Sequence, residues 1–497
     1  QINAVRKMLL VILSVVTLLA LTVYCAFRYR FNHWKRHGIP QLQPSIPFGD
    51  FGPVFRQKRY YGEVLADLYL LSQPLPLVGI YVAFRPVLIA VDRKLIKAIL
   101  VRDSTCFGDR GLYFDEQRDS MSANVFALKL DQAKQLRASL YPAFSAARTR
   151  GLFWMLSNTA NTLVKALEQS AGDVIEMRDV MSRYAADGTA SVLFGLGVDS
   201  INDEHDMFRE MTRSALEVDL SNLIRIALYF MVPKLKNWLG FKLVHPLVES
   251  FMINMVHGIR EHRDYNHEHH QDLIQMLLDF KRSDPDMKDE IVAAHALLFL
   301  IGSFEAITTA TSFCLYELAK NVNIQRKAQQ EIDSVLSKNV GELTVENMAD
   351  MRYVDCCINE TYRKYPSVPF LIRRCSKDYL VPDSNYTIPS GSTVIIPMQG
   401  LARDPEFYPN PESFNPERFE NKPDTVVPFY PFGDGPRNCI AKRLGHLQTK
   451  VALVKLLAKF DIKLANPEEG STLRLDPKFF ITIAVGGLNL VFTKRDE

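Results

Sequence analysis

The chain contains no C-x-x-C pair, no Gly/Ser-rich tract after about residue 60, no internal repeat and no basic block. Without C-x-x-C spacing, a structural zinc site has no ligand pattern to build on. The seven cysteines (Cys25, Cys106, Cys314, Cys356, Cys357, Cys375 and Cys439) are scattered and odd in number. That argues against a disulfide framework and fits a reducing compartment. Length alone allows two or more domains in 497 residues, but the missing linker makes one large domain the simpler reading. A net charge of +3 gives no case for a nucleic-acid partner. Nor is there a G-x-G-x-x-G between a strand and a helix with an acid following, so the chain carries no dinucleotide fingerprint of its own.

What is present begins with an apolar run. Met8 to Phe27 are free of charge, about the length that crosses a bilayer core. Arg28, Arg30, Lys35 and Arg36 follow the run, whereas only Arg6 and Lys7 precede it. The positive-inside bias places the downstream chain in the cytosol. A cleaved signal peptide competes with this reading, but the run is long and lacks a clear small-x-small site, which favours an uncleaved anchor. The sequence opens on Gln1, so Met8 is one candidate start and a longer chain is the other. Pro40, Pro44, Pro47 and Pro53 predict a stiff, extended connection. The expected organisation is an anchor over 8–27, a basic and Pro-rich connection over 28–59 and one domain over 60–497.

Most of 60–365 reads as helix, with a strand patch near Leu77–Val91. Ile291–Gly302 is nearly all apolar, with His295 the main exception, and is too short to span a bilayer, so it reads as a core helix. Val381–Ile396 predicts a hairpin around Pro389-Ser390-Gly391, and Ile481–Phe492 another around Gly486-Gly487. The fold class is mainly α with a small β portion.

One segment carries chemistry: Phe432-Gly433-Asp434-Gly435-Pro436-Arg437-Asn438-Cys439. Gly433 and Gly435 permit turns and a close backbone approach to a flat ligand. Leu444, Leu447, Val451 and Val454 recur at helical spacing, so Cys439 stands just before a helix N-terminus. The amides and dipole there favour an anion and predict a lowered thiol pKa, suited to a thiolate ligand. An ordinary turn with a buried cysteine is the plainer alternative for the loop taken alone.

In this loop the chain resembles the cytochrome P-450 family, whose pattern is F-x-x-G-x-R-x-C-x-G. Phe432, Gly435, Arg437 and Cys439 match in place, and Ala441 stands where glycine is usual. Glu360 and Arg363 match E-x-x-R, Pro416-Glu417-Arg418-Phe419 matches P-E-R-F, and an apolar helix near 290–320 falls where the oxygen-side helix belongs. The similarity covers essentially the whole chain and is greatest to insect microsomal members that handle foreign compounds. It implies haem b with Cys439 as axial thiolate, and a buried Glu360–Arg363–Arg418 network supporting the cysteine loop. Arg437, Arg373 and Arg137 would hold the propionates. It also implies oxygen insertion into lipophilic small molecules with NADPH electrons from a reductase, with cytochrome b5 as a further partner. The expected location is the endoplasmic reticulum membrane. Substrate contacts are expected from Phe107–Leu128, Phe304, Val368–Leu371 and Phe479–Val485. Lys134, Lys442, Arg443 and Lys450 would face an acidic reductase.

Two positions depart from the family pattern. Ala133 stands where the family has a tryptophan propionate donor, and Ala306 stands where it has the threonine that helps deliver protons. Glu305 keeps the acid of that relay, and Thr309 or Thr308 is the nearest hydroxyl that could replace the missing one. The alternatives are a haem-thiolate isomerase or dehydratase of peroxides, or a haem-binding protein with little turnover. His262, His267, His269 and His270 read as a solvated loop rather than a metal site.

Overall fold

The computed structural model describes residues 2–216, 238–284, 286–339, 341–420, 428–466 and 473–495, together with 225, 228, 229, 235 and 468. The apolar run lies in the helix Ile2–Arg30. Within Val5–Arg30 its most apolar 18-residue window has a mean hydropathy of 2.6 and is uncovered by the rest of the chain. Ser14, Thr17 and Thr22 donate their hydroxyls back to Leu10, Leu13 and Leu18, each at 2.8 Å. The helix thereby satisfies its own polar groups, as a lipid-facing segment must.

The expected extended connection is corrected. Trp34 sits in the short helix His33–Arg36 and is 1% exposed, with Ile39 and Phe51 buried beside it. The Trp34 indole donates to the Ile80 carbonyl at 3.3 Å, and Gln41 and Gly49 bridge to Gly79 and Val82. Three large apolar side chains leave water here, each worth roughly 1.5–3 kcal/mol, which outweighs the extended preference of the prolines.

The strand patch forms β1 (Leu77–Val82) and β2 (Arg85–Ala90), which pair antiparallel. A short β3 (Val174–Glu176), within the stretch read as helical, had no clear pattern to reveal it. β4 (Leu371–Arg374), β5 (Tyr379–Leu380), β6 (Thr387–Ile388) and β7 (Thr393–Ile396) follow, then β8 (Phe460–Leu464) and β9 (Asn489–Lys494). One sheet has the order β1-β2-β7-β4, a second β3-β9-β8, and β5 pairs with β6 alone. Both predicted hairpins are therefore re-paired. β6 turns back on β5, while β7 crosses to lie between β2 and β4, because Val394, Ile395 and Ile396 bury completely in that sheet. Gly486 and Gly487 do turn the chain, at φ +79° each, but Ala484 bridges Leu475 and β9 joins β3 and β8.

The helix Asp289–Lys320 runs through the larger core and packs on Met177–Thr189, Lys442–Lys459 and Arg352–Lys364. Its length and composition would also suit a membrane span, but 67% of its most apolar window is buried in protein, so it is a core helix. Arg352–Lys364 ends just before Pro366, with Tyr365 already out of helical geometry at φ −129°. His262 lies on the helix Pro246–Asn266 rather than in the loop that follows. Among the described residues, no three His, Cys, Asp or Glu side chains gather as a metal site.

Candidate functional site

Within Asp289–Lys320 only Gly302, Ala306 and the terminal Lys320 are exposed. Gly302 and Ala306 are one turn apart, and a Cβ at Gly302 would meet nothing within 4 Å. Cys439 likewise keeps accessible surface although protein surrounds it on nearly every side. A group that is deep yet accessible faces an interior chamber. Small residues on the helix and the thiol on the loop provide two such surfaces.

The cysteine loop is closed by the Cys439 amide, which donates to the Phe432 carbonyl at 2.8 Å, and the helix Lys442–Lys459 begins three residues later. The Phe432 ring stands edge-on to Tyr362, with centroids 5.2 Å apart. Gly433 and Gly435 both adopt φ +69°, which favours glycine. The space a Gly435 side chain would need belongs to the Leu100 carbonyl, 1.9 Å from an ideal Cβ. That glycine therefore admits the segment 98–102 rather than a ligand. The expected low thiol pKa is also corrected. Burial raises the Cys439 pKa, and the Ala441 amide, Arg137, Arg110 and Lys442 only partly offset it.

Arg437 is 5% exposed and splits its guanidinium among three carbonyls: Gly108 at 2.8 Å, Leu128 at 2.7 Å and Val125 at 3.4 Å. Arg137 donates to the Asn438 carbonyl at 2.9 Å, and Arg373 is 3% exposed on β4. A fourth guanidinium, Arg110, was not foreseen. It lies over the Phe126 ring at 3.9 Å and donates to the Phe126 and Arg437 carbonyls at 3.1 and 3.2 Å. Burial drives the Arg110 pKa well down, and Arg373, Arg437 and Arg137 push it further. Arg373 falls to about 10 through burial and Arg437. Asp109, 4.0 Å from Arg437, is the one carboxylate paired with this group in the described residues.

This donor set fits haem. Four crowded guanidiniums need anions, a thiol shares their field, and the core helix leaves small residues, Gly302 and Ala306, accessible. Bound metal would also deprotonate the thiol that burial holds neutral. Ala133, fully buried at 0% exposure, can offer no donor, and Arg110 supplies a cation the motif comparison did not count.

The supporting network stands as the resemblance implied. Arg363 meets Glu360 at 2.7 and 2.8 Å with both side chains fully buried, and Arg418 approaches the same carboxylate at 3.4 Å.

On the oxygen side, Glu305 is 6% exposed and held by Arg178, whose Nη2 donates to both carboxylate oxygens at 2.8 Å. At about 100° per residue, Thr309 lies about 60° round the helix from Ala306, whereas Thr308 lies about 160° away. Both hydroxyls are buried and unpartnered. Thr309 lines a cavity of about 10 Å³ with Arg178, Ser312, Phe313, Ala484, Gly487 and Leu488, space for a single water. Phe304 also falls about 160° from Ala306 and is 3% exposed in the larger core, so it is not a chamber wall. Lys450 is 4% exposed, pairs with Asp355 at 2.8 Å and donates to the Met348 carbonyl, so it cannot meet a partner protein. Lys134, Lys442 and Arg443 are exposed.

Comparison with known proteins agrees with this geometry. The family model described as Cytochrome P-450 matches residues 42–483. A cytochrome P-450 6d3 of Musca domestica is 36% identical, covering 97% of this chain and 98% of its own. A probable cytochrome P-450 6d4 of Drosophila melanogaster is 33% identical over 95% and 97%. A cytochrome P-450 6j1 of Blattella germanica is 32% identical over 98% of each.

Proposed function

The chain belongs to the cytochrome P-450 family, and on that premise we propose that it is a membrane-anchored haem-thiolate monooxygenase. It inserts one oxygen atom into lipophilic small molecules, with NADPH electrons from a separate reductase and cytochrome b5 as a second donor. Residues 8–27 are the anchor in the endoplasmic reticulum membrane, 28–59 the connection, and 60–497 the cytosolic catalytic domain. The observation that carries this reading is one accessible thiol in the field of four arginines, three of them buried and Arg137 half-buried.

Haem bound there would supply oxygen activation at an iron whose thiolate ligand favours O–O cleavage. Cys439 would supply the thiolate ligand, and the Ala441 amide and nearby arginines favour its anion. Arg110, Arg137, Arg373 and Arg437 would hold the propionates by charge-assisted hydrogen bonds. Phe432 and Gly435 shape the loop on the thiolate side. Gly302 and Ala306 leave room for substrate, and the apolar helix around them keeps bulk water out. Glu305 and Thr309 carry protons, with Arg178 holding the Glu305 carboxylate in place. Lys134, Lys442 and Arg443 meet the reductase.

The test uses the haem-loaded full chain with reductase, NADPH and a panel of lipophilic compounds. Substrate-dependent oxygen uptake with a singly oxygenated product supports the proposal. Rearrangement of hydroperoxides without NADPH would instead make the protein an isomerase or dehydratase. Haem binding with neither activity would make it a binding protein.

A further inference from the structure

His295 is 1% exposed on a helix segment that is otherwise apolar from Ile291 to Ile301. Its Nδ1 receives the Val125 backbone N–H at 3.0 Å. An accepting Nδ1 carries no proton, so the neutral ring must carry its proton on Nε2. The ring stays neutral because burial depresses its pKa to about 3. At about 100° per residue, His295 falls between Gly302 and Ala306 in angle, on the helix stripe that faces the chamber further along.

The Val125 backbone has a second partner. Its carbonyl accepts from Arg437 at 3.4 Å, and Arg437 also draws in Leu128 and Gly108. The backbone of one residue therefore joins the core helix through its N–H and the cysteine loop through its C=O. Phe126 lies next along the chain, with its ring under Arg110 and its carbonyl accepting from it. A shift of Val125 would disturb two of the four arginines together.

We propose that His295 is a positioning residue that fixes the 120–128 segment against the core helix. Through the Val125 backbone it links the oxygen side of the chamber to Arg437 on the thiolate side, and so sets the room left for a bulky ligand. The part concerning the chamber rests on the haem reading; the part concerning the segment does not.

The test compares the haem-loaded wild type with His295→Asn and His295→Phe. Asparagine presents an acceptor close to where Nδ1 stood, whereas phenylalanine leaves the Val125 N–H buried and unpaired. Two measurements are made: backbone hydrogen exchange over 121–128, and spectral dissociation constants for imidazole and 4-phenylimidazole. In His295→Phe, exchange protection over 121–128 falls by about tenfold and protection over 177–189 is unchanged. The ratio of the two azole constants changes by about fivefold or more, imidazole itself moving less than about twofold. His295→Asn restores both. Unchanged protection and ratio in His295→Phe, or failure of asparagine to restore them, overturns the proposal. If His295→Phe takes up no haem, His295→Ala is read in its place. A wild type with no azole-induced spectral change would sink the haem reading and leave the exchange data to judge His295.

Discussion

Arg178 holds Glu305: a single guanidinium nitrogen lies 2.8 Å from both oxygens of a carboxylate 127 residues away in the chain. The Glu305 side chain is 8% exposed and the Arg178 side chain 25%. This pair fixes the acid that precedes Ala306 in the chain.

Removing Arg178 strands the carboxylate. A fully buried pair broken on one side costs about 3–5 kcal/mol, and partial exposure of Arg178 reduces this to about 1–3 kcal/mol. Arg178→Ala should lower the denaturation midpoint accordingly, and Glu305→Gln should be milder. In the holoenzyme Glu305→Gln should slow product formation by about 10²-fold, the usual scale of a lost proton-transfer group. Denaturant titration and product assays check the two effects separately.

The two threonines should behave differently. Replacing either buried, unpartnered hydroxyl by a methyl removes a desolvated polar group, so Thr308→Val and Thr309→Val should each stabilise by about 0.5–1 kcal/mol. Only Thr309→Val should raise the fraction of NADPH electrons released as hydrogen peroxide. Equal peroxide yields from the two variants would remove Thr309 from the proton route.

Arg110 is crowded by three other guanidiniums. In the haem-free protein Arg110→Leu should leave stability unchanged or raise it, because a repelled buried cation is lost. With haem bound, the same change should increase the haem dissociation rate by about tenfold, one charge-assisted contact being worth about 1.5 kcal/mol. Transfer of haem to an acceptor globin measures that rate.

Stability should depend on pH through His295. Burial lowers its folded pKa to about 3 from 6.5, so between these values the unfolded chain binds a proton that the folded chain does not. Stability therefore falls as pH drops from 6.5 toward 3, by at most about 1.4 kcal/mol per unit. Asp50 and Asp187, both raised to about 6 by burial, act in the opposite sense, gaining stability as pH falls through that value. The difference between wild type and His295→Asn cancels the carboxylates, and it should shrink from pH 6.5 to pH 4.5 as the wild type loses its advantage.

The cysteine loop and its supporting ion pair were readable from sequence because their parts are local. Arg437 and Cys439 share one loop, and Glu360 and Arg363 share one helix face. Arg110 and Arg178 were not readable, since each meets a site residue more than a hundred positions away, Arg437 and Glu305 respectively. The hairpins illustrate the same limit. Alternating apolar residues mark β6 and β7 as strands but cannot say that β7 pairs with β2, some 300 residues earlier. Burial was equally hidden. The helix end near Cys439 argued for a low thiol pKa, and the protein packed around it reversed the sign. Lys450 looked like a surface lysine until Asp355 and Met348 were found to enclose it.

The central claim is that Cys439 is the ligand of a haem iron. The direct measurement is the absorption spectrum of the reduced, carbon-monoxide-bound protein for wild type and Cys439→Ser, with haem content determined in parallel. The wild type should give the red-shifted band of a thiolate-ligated haem, and Cys439→Ser should lose it while any retained haem absorbs as an ordinary haem complex. A thiolate-type band that survives in Cys439→Ser would contradict the assignment.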